Sequence, residues 1–307
     1  MGGTKRLVST LTILDSQQFR VVALALLVGA LPFLFPLRAA AAEVDPPASE
    51  VKQQNPWLDD YHQKVGFTYG AEATLQTNYV WRGLYCGGLS LQGSANVGYG
   101  GLYADMWWSL GATDYAFRAF QPEVDLSLGF RRWGLDLSVL YIHTFDHPFF
   151  DINNYAPGQP GNCLEVRGRY TVSSKLPLSF LWATRVSGRD GYIDSDGNLQ
   201  RAYSSYIELS YTHKFASDIS LYGAIGITPW RSMYTRFVGG ATVCNIHLRC
   251  SREWQVSEHC GLRLGGEMML HPYYLAHKAE SEAMFDYRQL GSPALNANIG
   301  FTVFLIK

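Results

Sequence analysis

The amino-acid sequence predicts an all-β protein, an up-and-down antiparallel transmembrane β-barrel of about 12 strands. Short segments alternate apolar and polar side chains, the connections between them are alternately short and long, and no amphipathic helical pattern of useful length occurs. A composition with 17% charged residues, 14% aromatic residues and 30 glycines also suits a soluble β-sandwich or lipocalin-like barrel. The alternation of connection lengths decides between these classes, because a soluble sandwich has no reason to alternate them.

The N-terminal region predicts export. The apolar run Val21–Pro36 is too short and too interrupted by proline for a comfortable transmembrane helix, basic residues precede it, and Ala39–Ala42 follows it. This order is typical of a cleaved signal peptide over residues 1–42; a single-pass anchor is the alternative. We expect residues 43–64 to be a periplasmic lead-in and residues 65–307 to form a barrel in a bacterial outer membrane.

Twelve segments show the period-two alternation of a strand with one apolar face. The last of them lies within Ala294–Ile306. Its alternation covers about 10 residues, the length that a tilted strand needs to cross a bilayer. Lipid satisfies no backbone N–H or C=O group, so we expect this strand to close the barrel by pairing with the first. The predicted strands are Val65–Gln76, Leu91–Tyr99, Leu102–Leu110, Val124–Phe130, Trp133–Tyr141, Leu164–Tyr170, Leu178–Val186, Tyr203–Tyr211, Ile219–Ile227, Cys244–Cys250, Leu262–Leu270 and Leu295–Leu305.

The connections form two sets that alternate along the chain, as tight periplasmic turns and long outer loops do in a membrane barrel. The short ones are Gly100–Gly101, Arg131–Arg132, Thr171–Leu176, Thr212–Asp218 and Ser251–Glu258. The long ones are Thr77–Ser90, Gly111–Pro122, His143–Asn162, Ser187–Ala202, Thr228–Val243 and His271–Pro293.

Charged residues segregate to one face of the predicted strands, and the other face carries apolar and aromatic side chains. A Lys or Arg that faces lipid at mid-membrane costs about 2–4 kcal/mol, so this segregation fixes which face lines the interior. We also expect a transverse field, acidic on the first five strands and basic on the sixth to eleventh. The predicted pore-lining residues are Glu72, Arg82, Asp105, Glu123, Asp125, Asp136, Glu165, Arg167, Arg169, Arg185, Glu208, Arg249, Arg263 and Glu267.

Arg82 differs from the others because it lies in the first long connection, beside Tyr79 and Trp81. It could fold into the mouth of the barrel and set the charge there. Alternatively, it could pair with a wall carboxylate such as Glu72 or stack on an aromatic ring.

Three short motifs follow one another near the start of the barrel region: Asn78-Tyr79-Val80-Trp81-Arg82-Gly83, Leu91-Gln92-Gly93 and Gly101-Leu102-Tyr103-Ala104. In these motifs the chain resembles the TorF-type porin family of Gram-negative outer membranes, in which the first strand runs into an aromatic-x-x-Arg-Gly turn. The resemblance covers Thr77 to about Gly111 and implies an outer-membrane barrel described as porin-like. The chain departs from the general outer-membrane pattern at its last residues, Phe304–Lys307, where an aromatic residue usually ends the signal read by the assembly machinery.

The five cysteines all lie in the predicted exported part of the chain. A hairpin register that pairs Leu248 with Leu262 also sets Cys250 opposite Cys260, where the two could be near disulfide distance. The alternative is that both are small apolar residues near the membrane interface.

These observations favour passive diffusion of small solutes across the outer membrane, without a catalytic residue or cofactor. One alternative is a closed barrel with a structural or surface-interaction role; another is a lipid-modifying enzyme that uses His143, His147 or His271. We expect no metal site, because the loop that carries His143 and His147 offers no fixed ligand geometry. We expect contact with outer-membrane lipid and the assembly machinery, and no nucleic-acid partner, because the net charge is −1 and no basic cluster occurs.

Overall fold

The computed structural model describes residues 66–112, 120–145, 148–153, 161–215, 217–277 and 295–306. In it, twelve strands form one closed barrel, and two short hairpins lie in the connections. The barrel strands are β1 (Phe67–Gln76), β4 (Ser90–Tyr99), β5 (Leu102–Ala112), β6 (Phe120–Arg132), β7 (Leu135–Thr144), β8 (Cys163–Thr171), β9 (Leu178–Gly188), β12 (Ser205–Lys214), β13 (Ile219–Thr228), β14 (Thr242–Ser257), β15 (Cys260–Leu270) and β16 (Leu295–Ile306). The hairpins are β2 (Tyr79–Trp81) with β3 (Leu84–Gly87), and β10 (Gly191–Ile193) with β11 (Leu199–Arg201).

Each barrel strand pairs antiparallel with the next one along the chain, and the last strand pairs with the first. The β1–β16 seam runs from Gly70 opposite Ile306 to Gln76 opposite Gly300. Closure removes the free strand edges, so the hydrogen-bond ladder continues around the wall. The predicted fold class and the predicted closing strand are confirmed. The predicted signal peptide (1–42) and lead-in (43–64) lie outside the described residues.

The outer face of the wall is apolar. Large side chains such as Leu128, Leu102 and Ile225 are 69%, 65% and 53% exposed, as a lipid-facing surface requires. Near one end of the barrel, the Arg132 guanidinium lies 4.5 Å from the ring centroid of Trp133, a pairing typical of a membrane–water boundary.

The two ends of the barrel differ in the length of their connections. At the short-turn end the strands are joined by residues 100–101, 133–134, 172–177, 215–218 and 258–259. At the long-loop end they are joined by residues 77–89, 113–119, 145–162, 189–204, 229–241 and 271–294. The predicted alternation is confirmed, but two predicted turns are wrong. Arg131–Arg132 belongs to β6, and most of Ser251–Glu258 belongs to β14.

The second error removes the predicted Cys250–Cys260 disulfide. β14 pairs Leu248 with Met268, not with Leu262, so Cys250 lies opposite Gly266 and Cys260 lies opposite Ser257. All the cysteines are free thiols. The polar segment after Cys250 continues the strand because its charges have partners: Glu253 pairs with Arg263 on β15, and Arg252 lies over the ring of Trp254.

Two short helical segments lie at the long-loop end, a 3-10 turn at Met233–Thr235 and an α-helix at Pro272–Ala276. Both pack against the β2–β3 hairpin, through Tyr234 and through Tyr273 and Tyr274. Among the described residues, no helix has both the length and the apolar character needed to cross a membrane.

Candidate functional site: the interior of the barrel

The first long connection folds back into the barrel as the β2–β3 hairpin. At its tip, Arg82 and Gly83 both have positive φ angles (50° and 81°), and Trp81 pairs with Leu84 across them. Two consecutive positive φ angles are typical of a type I′ turn, which favours glycine at its second position. The close packing of this turn against the wall also requires glycine, because a Cβ on Gly83 would lie 2.5 Å from the carbonyl oxygen of Cys244. The Arg-Gly motif thus forms a tight turn pressed against β14.

Arg82 anchors the hairpin to the wall. Its Nη1 and Nη2 donate to the two carboxylate oxygens of Glu165 on β8, at 2.7 and 2.8 Å, and Nη1 also donates to the Tyr234 hydroxyl at 2.8 Å. The guanidinium lies 4.4 and 4.7 Å from the ring centroids of Trp81 and Tyr206. The side chains of Arg82 and Glu165 are 9% and 1% exposed, so this is a buried, bidentate ion pair. Arg82 therefore lies inside the mouth, but a wall carboxylate neutralises its charge.

Other contacts hold the rest of the hairpin across the interior. Trp81 packs on an inner-wall patch of β7 and β8, Leu84 packs on the helix Pro272–Ala276, and the Tyr79 hydroxyl donates to Glu123 on β6 at 2.8 Å. The apolar patch consists of Leu140, Ile142 and Cys163. The hairpin thus contacts β6, β7, β8, β12 and β14, and it spans the interior at the long-loop end.

Aromatic residues from two later connections cover the hairpin. Tyr234 is 1% exposed, and burial raises the pKa of its hydroxyl. His271 is fully buried, with its ring centroid 4.1 Å from that of Tyr274, and the Arg236 guanidinium lies 4.9 Å from the same tyrosine ring. Burial, together with the positive charge of Arg236, lowers the pKa of His271 to about 4. The cover over the buried ion pair is therefore largely aromatic, and Tyr234 and His271 are both neutral at pH 7.

Three more predicted pore-lining residues lie in the long-loop half. Arg185 is 8% exposed, lies 5.6 Å from the ring centroid of the hairpin tryptophan, and donates to the carbonyl oxygen of Arg189 at 3.3 Å. Glu208 accepts hydrogen bonds from the hydroxyls of Tyr206 and Tyr222, at 2.6 and 2.9 Å. The Oδ1 atom of Asp125 is buried and has no hydrogen-bond partner among the described residues. This half of the interior is packed rather than open.

The short-turn half holds charges that water reaches. Arg263 donates to Glu253 at 2.7 Å and lies 3.5 Å from Glu72, and these side chains are 32%, 41% and 38% exposed. Glu72 therefore pairs with Arg263, and not with Arg82. Asp136 accepts two hydrogen bonds from Arg131, at 2.9 and 2.8 Å.

The last predicted residues have different surroundings. Arg167 donates to serine hydroxyls on β6 and β7, at 2.8 and 3.2 Å, and Glu267 is hydrogen-bonded to a histidine on β14 and an asparagine on β16. Asp105 is half-buried, whereas Arg169 and Arg249 are exposed. All thirteen predicted wall residues occupy inward-facing strand positions, so the predicted facing is correct, and the pore-lining role stays a prediction.

Sequence reasoning missed Arg131 and Glu253, which it assigned to turns. Both residues continue the period-two pattern of the inward-facing charges on their strands. That pattern could have identified them from the sequence. It also missed Tyr234, and it named His271 only as a candidate catalytic residue, because loop residues carry no periodicity that shows which way they point. Arg131 lies among the acidic residues of the first five barrel strands, so positive and negative side chains are mixed there more closely than the predicted transverse field implies. The transverse field stays a prediction.

Comparisons with known proteins find similarity only at the level of structure. No family model and no curated protein matches the chain, so membership of the TorF-type family is not confirmed. The COG4313 outer membrane channel from Pseudomonas putida F1 is 12% identical, with a TM-score of 0.41, over 86% of this chain and 100% of that one. The KdgM porin (7% identity, TM-score 0.38) covers 78% of this chain and 98% of its own, and the NanC porin (8%, 0.38) covers 77% and 98%. The terms channel and porin describe the functions of those proteins.

Proposed function

We propose that this protein is a porin-like barrel of the bacterial outer membrane that lets small solutes diffuse passively, and that the structure describes its closed state. The observation that carries the proposal is the division of the interior. The short-turn half is lined by charged side chains that water reaches, and the long-loop half is filled by the β2–β3 hairpin, which side chains from two later connections cover. The blocking segment belongs to a connection between strands, and the wall is complete without it.

The strand number supports this reading. An eight-stranded barrel is filled by the side chains of its own wall, whereas sixteen strands leave a wide channel. A twelve-stranded wall leaves a space of intermediate width, which the β2–β3 hairpin occupies here. Tight turns are typical of the periplasmic side and long loops of the outer side, so we place the hairpin at the outer mouth.

A closed structural barrel is the second candidate, and the buried Arg82–Glu165 pair favours it. Removing one partner of a buried ion pair typically costs about 3–5 kcal/mol, so this contact resists opening. A lipid-modifying enzyme has less support. The His143 Nδ1 is hydrogen-bonded to the Asn162 side chain, and His271 is buried against Tyr274, while His147 lies outside the described residues.

The test is to replace the hairpin. Gln76 pairs with Ser90, so a short Gly-Ser turn can join β1 to β4 in place of residues 77–89. In planar bilayers we expect rare, brief openings from the native protein and long-lived conductance steps from the hairpin-replaced variant. The matched control replaces the exposed hairpin tip at residues 194–198, between β10 and β11, and should behave as the native protein. If the folded hairpin-replaced variant carries no current at any voltage, the channel proposal fails and the closed barrel stands.

A further inference from the structure

Two acidic side chains lie side by side on the inner face of β6, next to the β2–β3 hairpin. Glu123 and Asp125 are two residues apart, so they point to the same face of the strand. Glu123 lies directly opposite Ser109 on β5 and Thr144 on β7. Directly opposite residues on neighbouring strands have Cβ atoms about 4.5–5.5 Å apart, so the two hydroxyl-bearing side chains flank Glu123.

Several oxygen atoms of this cluster lack a hydrogen-bond donor. Ser109 and Thr144 are 2% and 5% exposed, and their hydroxyl oxygens have no hydrogen-bond partner within the described residues. The same holds for the buried Oδ1 atom of Asp125. Buried polar atoms are nearly always hydrogen-bonded, so these orphaned oxygens beside Glu123 indicate a site for a ligand that supplies donors.

The hairpin fills this site with Tyr79. Its hydroxyl donates to Glu123 Oε1 at 2.8 Å, and its ring centroid lies 5.3 Å from that of Trp107, which is directly opposite Asp125. A hydroxyl donates only one hydrogen bond, and it carries no charge that could balance the carboxylates. Removing the hairpin therefore leaves a cluster of acceptors beside an uncovered tryptophan ring.

The two carboxylates have no cation of their own. Arg167 donates to serine hydroxyls on β6 and β7, and Arg185 donates to a backbone carbonyl oxygen at 3.3 Å. Both arginines reduce the negative potential at Asp125 through space, but in the described part of the chain neither forms an ion pair with it or with Glu123. Counted with Glu165, whose arginine partner leaves with the hairpin, the local set holds three carboxylates and two guanidinium groups.

We propose that this cluster is a binding site at the outer mouth for small solutes that carry an ammonium or guanidinium group. Its acceptors are the side-chain oxygens of Ser109, Glu123, Asp125 and Thr144. Both cations donate several hydrogen bonds at once, and both are attracted to the face of a tryptophan ring such as that of Trp107. This inference rests on the proposed channel function, and it names the class of solute that the channel favours.

The experiment uses the hairpin-replaced variant in planar bilayers, because its interior is open if the proposed function holds. The reversal potential is measured in a KCl gradient, and putrescine, a linear diamine, is then added on the long-loop side as a cationic probe. We expect potassium to be more permeant than chloride, and putrescine to block the current. Butanediol, the neutral diol analogue of putrescine, should not block at the same concentration.

Variants of the cluster separate charge from hydrogen bonding. In E123Q/D125N the preference for potassium should fall, and the putrescine concentration for half-block should rise about tenfold or more, because charge-assisted hydrogen bonds are lost. S109A/T144V should raise the half-block concentration by a smaller factor and leave the reversal potential unchanged, since it removes acceptors but no charge. Glu253→Gln is the matched control: it removes a carboxylate from the short-turn half and should leave the half-block concentration unchanged.

The outcomes separate the two proposals. A hairpin-replaced variant that carries no current overturns the channel function and this inference with it. The cation-binding site alone is overturned if the conducting variant prefers chloride, if butanediol blocks as strongly as putrescine, or if E123Q/D125N leaves the putrescine block unchanged. Circular dichroism confirms that each variant keeps its β-barrel signal, so loss of the fold is recognised separately.

Discussion

Arg82→Ala should release the hairpin and open the outer mouth. The substitution leaves the Glu165 carboxylate, 1% exposed in the native protein, buried without its cation. Breaking a buried pair in this way costs about 3–5 kcal/mol, and withdrawal of the hairpin removes the cost because water then reaches Glu165. That free energy shifts the closed–open equilibrium towards the open state by roughly 10²- to 10⁴-fold.

The assay is single-channel recording of open probability in planar bilayers. Arg167→Ala is the matched control, because Arg167 lies on the same strand as Glu165 but donates only to wall serines. It should change the conductance of each opening and leave the open probability near the native value. The double variant R82A/E165A should open less often than R82A, since it removes the unpaired carboxylate together with the arginine.

Two results would refute this reasoning. An open probability in R82A equal to that of the native protein would show that the ion pair does not hold the hairpin. Equal open probabilities in R82A and R82A/E165A would show that the unpaired charge of Glu165 contributes nothing.

Three further predictions follow from the same region and from β14. Gly83→Ala places a Cβ 2.5 Å from the Cys244 carbonyl oxygen at a φ of +81°, so it should also raise open probability, with a backbone cost of about 1–2 kcal/mol before the clash is counted. The pKa of His271 is about 4 when buried, against 6.5 when free, so its contribution to closure is full above pH 6.5 and is lost as the pH falls towards 4. Conductance measured across this window should rise on acidification, and His271→Phe should flatten the rise. Mass spectrometry of non-reduced peptides should recover Cys250 and Cys260 as separate thiols, and a linked peptide would contradict the register of β14.

The wall of this barrel was predictable because its signals are periodic. Ala294–Ile306 alternates apolar and polar residues over one membrane crossing, and that alternation alone fixes its inward face. The register of β14 with β15 was not predictable in the same way. Polar residues such as Glu253 resemble a loop until the cation on the next strand is placed opposite them. Local pattern gives the face of a strand, whereas register depends on where the turn begins.

The hairpin shows a different limit. The sequence indicated that Arg82 needs a carboxylate or an aromatic ring, because its chemistry allows few other surroundings. It could not indicate Glu165 as the partner, because the contact joins a loop to a strand 83 residues further along the chain. The partner depends on the path of the loop through the barrel, and only the closed wall determines that path.

Opening changes the electrostatics of the mouth as well as its width. When the hairpin withdraws, Arg82 leaves with it and Glu165 stays on the wall, so the outer mouth gains a negative charge that the closed state neutralises. This charge opposes the entry of anions through the outer mouth. In the hairpin-replaced variant, Glu165→Gln should therefore raise chloride permeability relative to potassium, and low salt should enlarge the difference because a carboxylate exposed to water is screened by ions. An unchanged reversal potential at low salt would mean that permeating ions do not pass close to Glu165, and the path through the outer mouth would then have to run along another part of the wall.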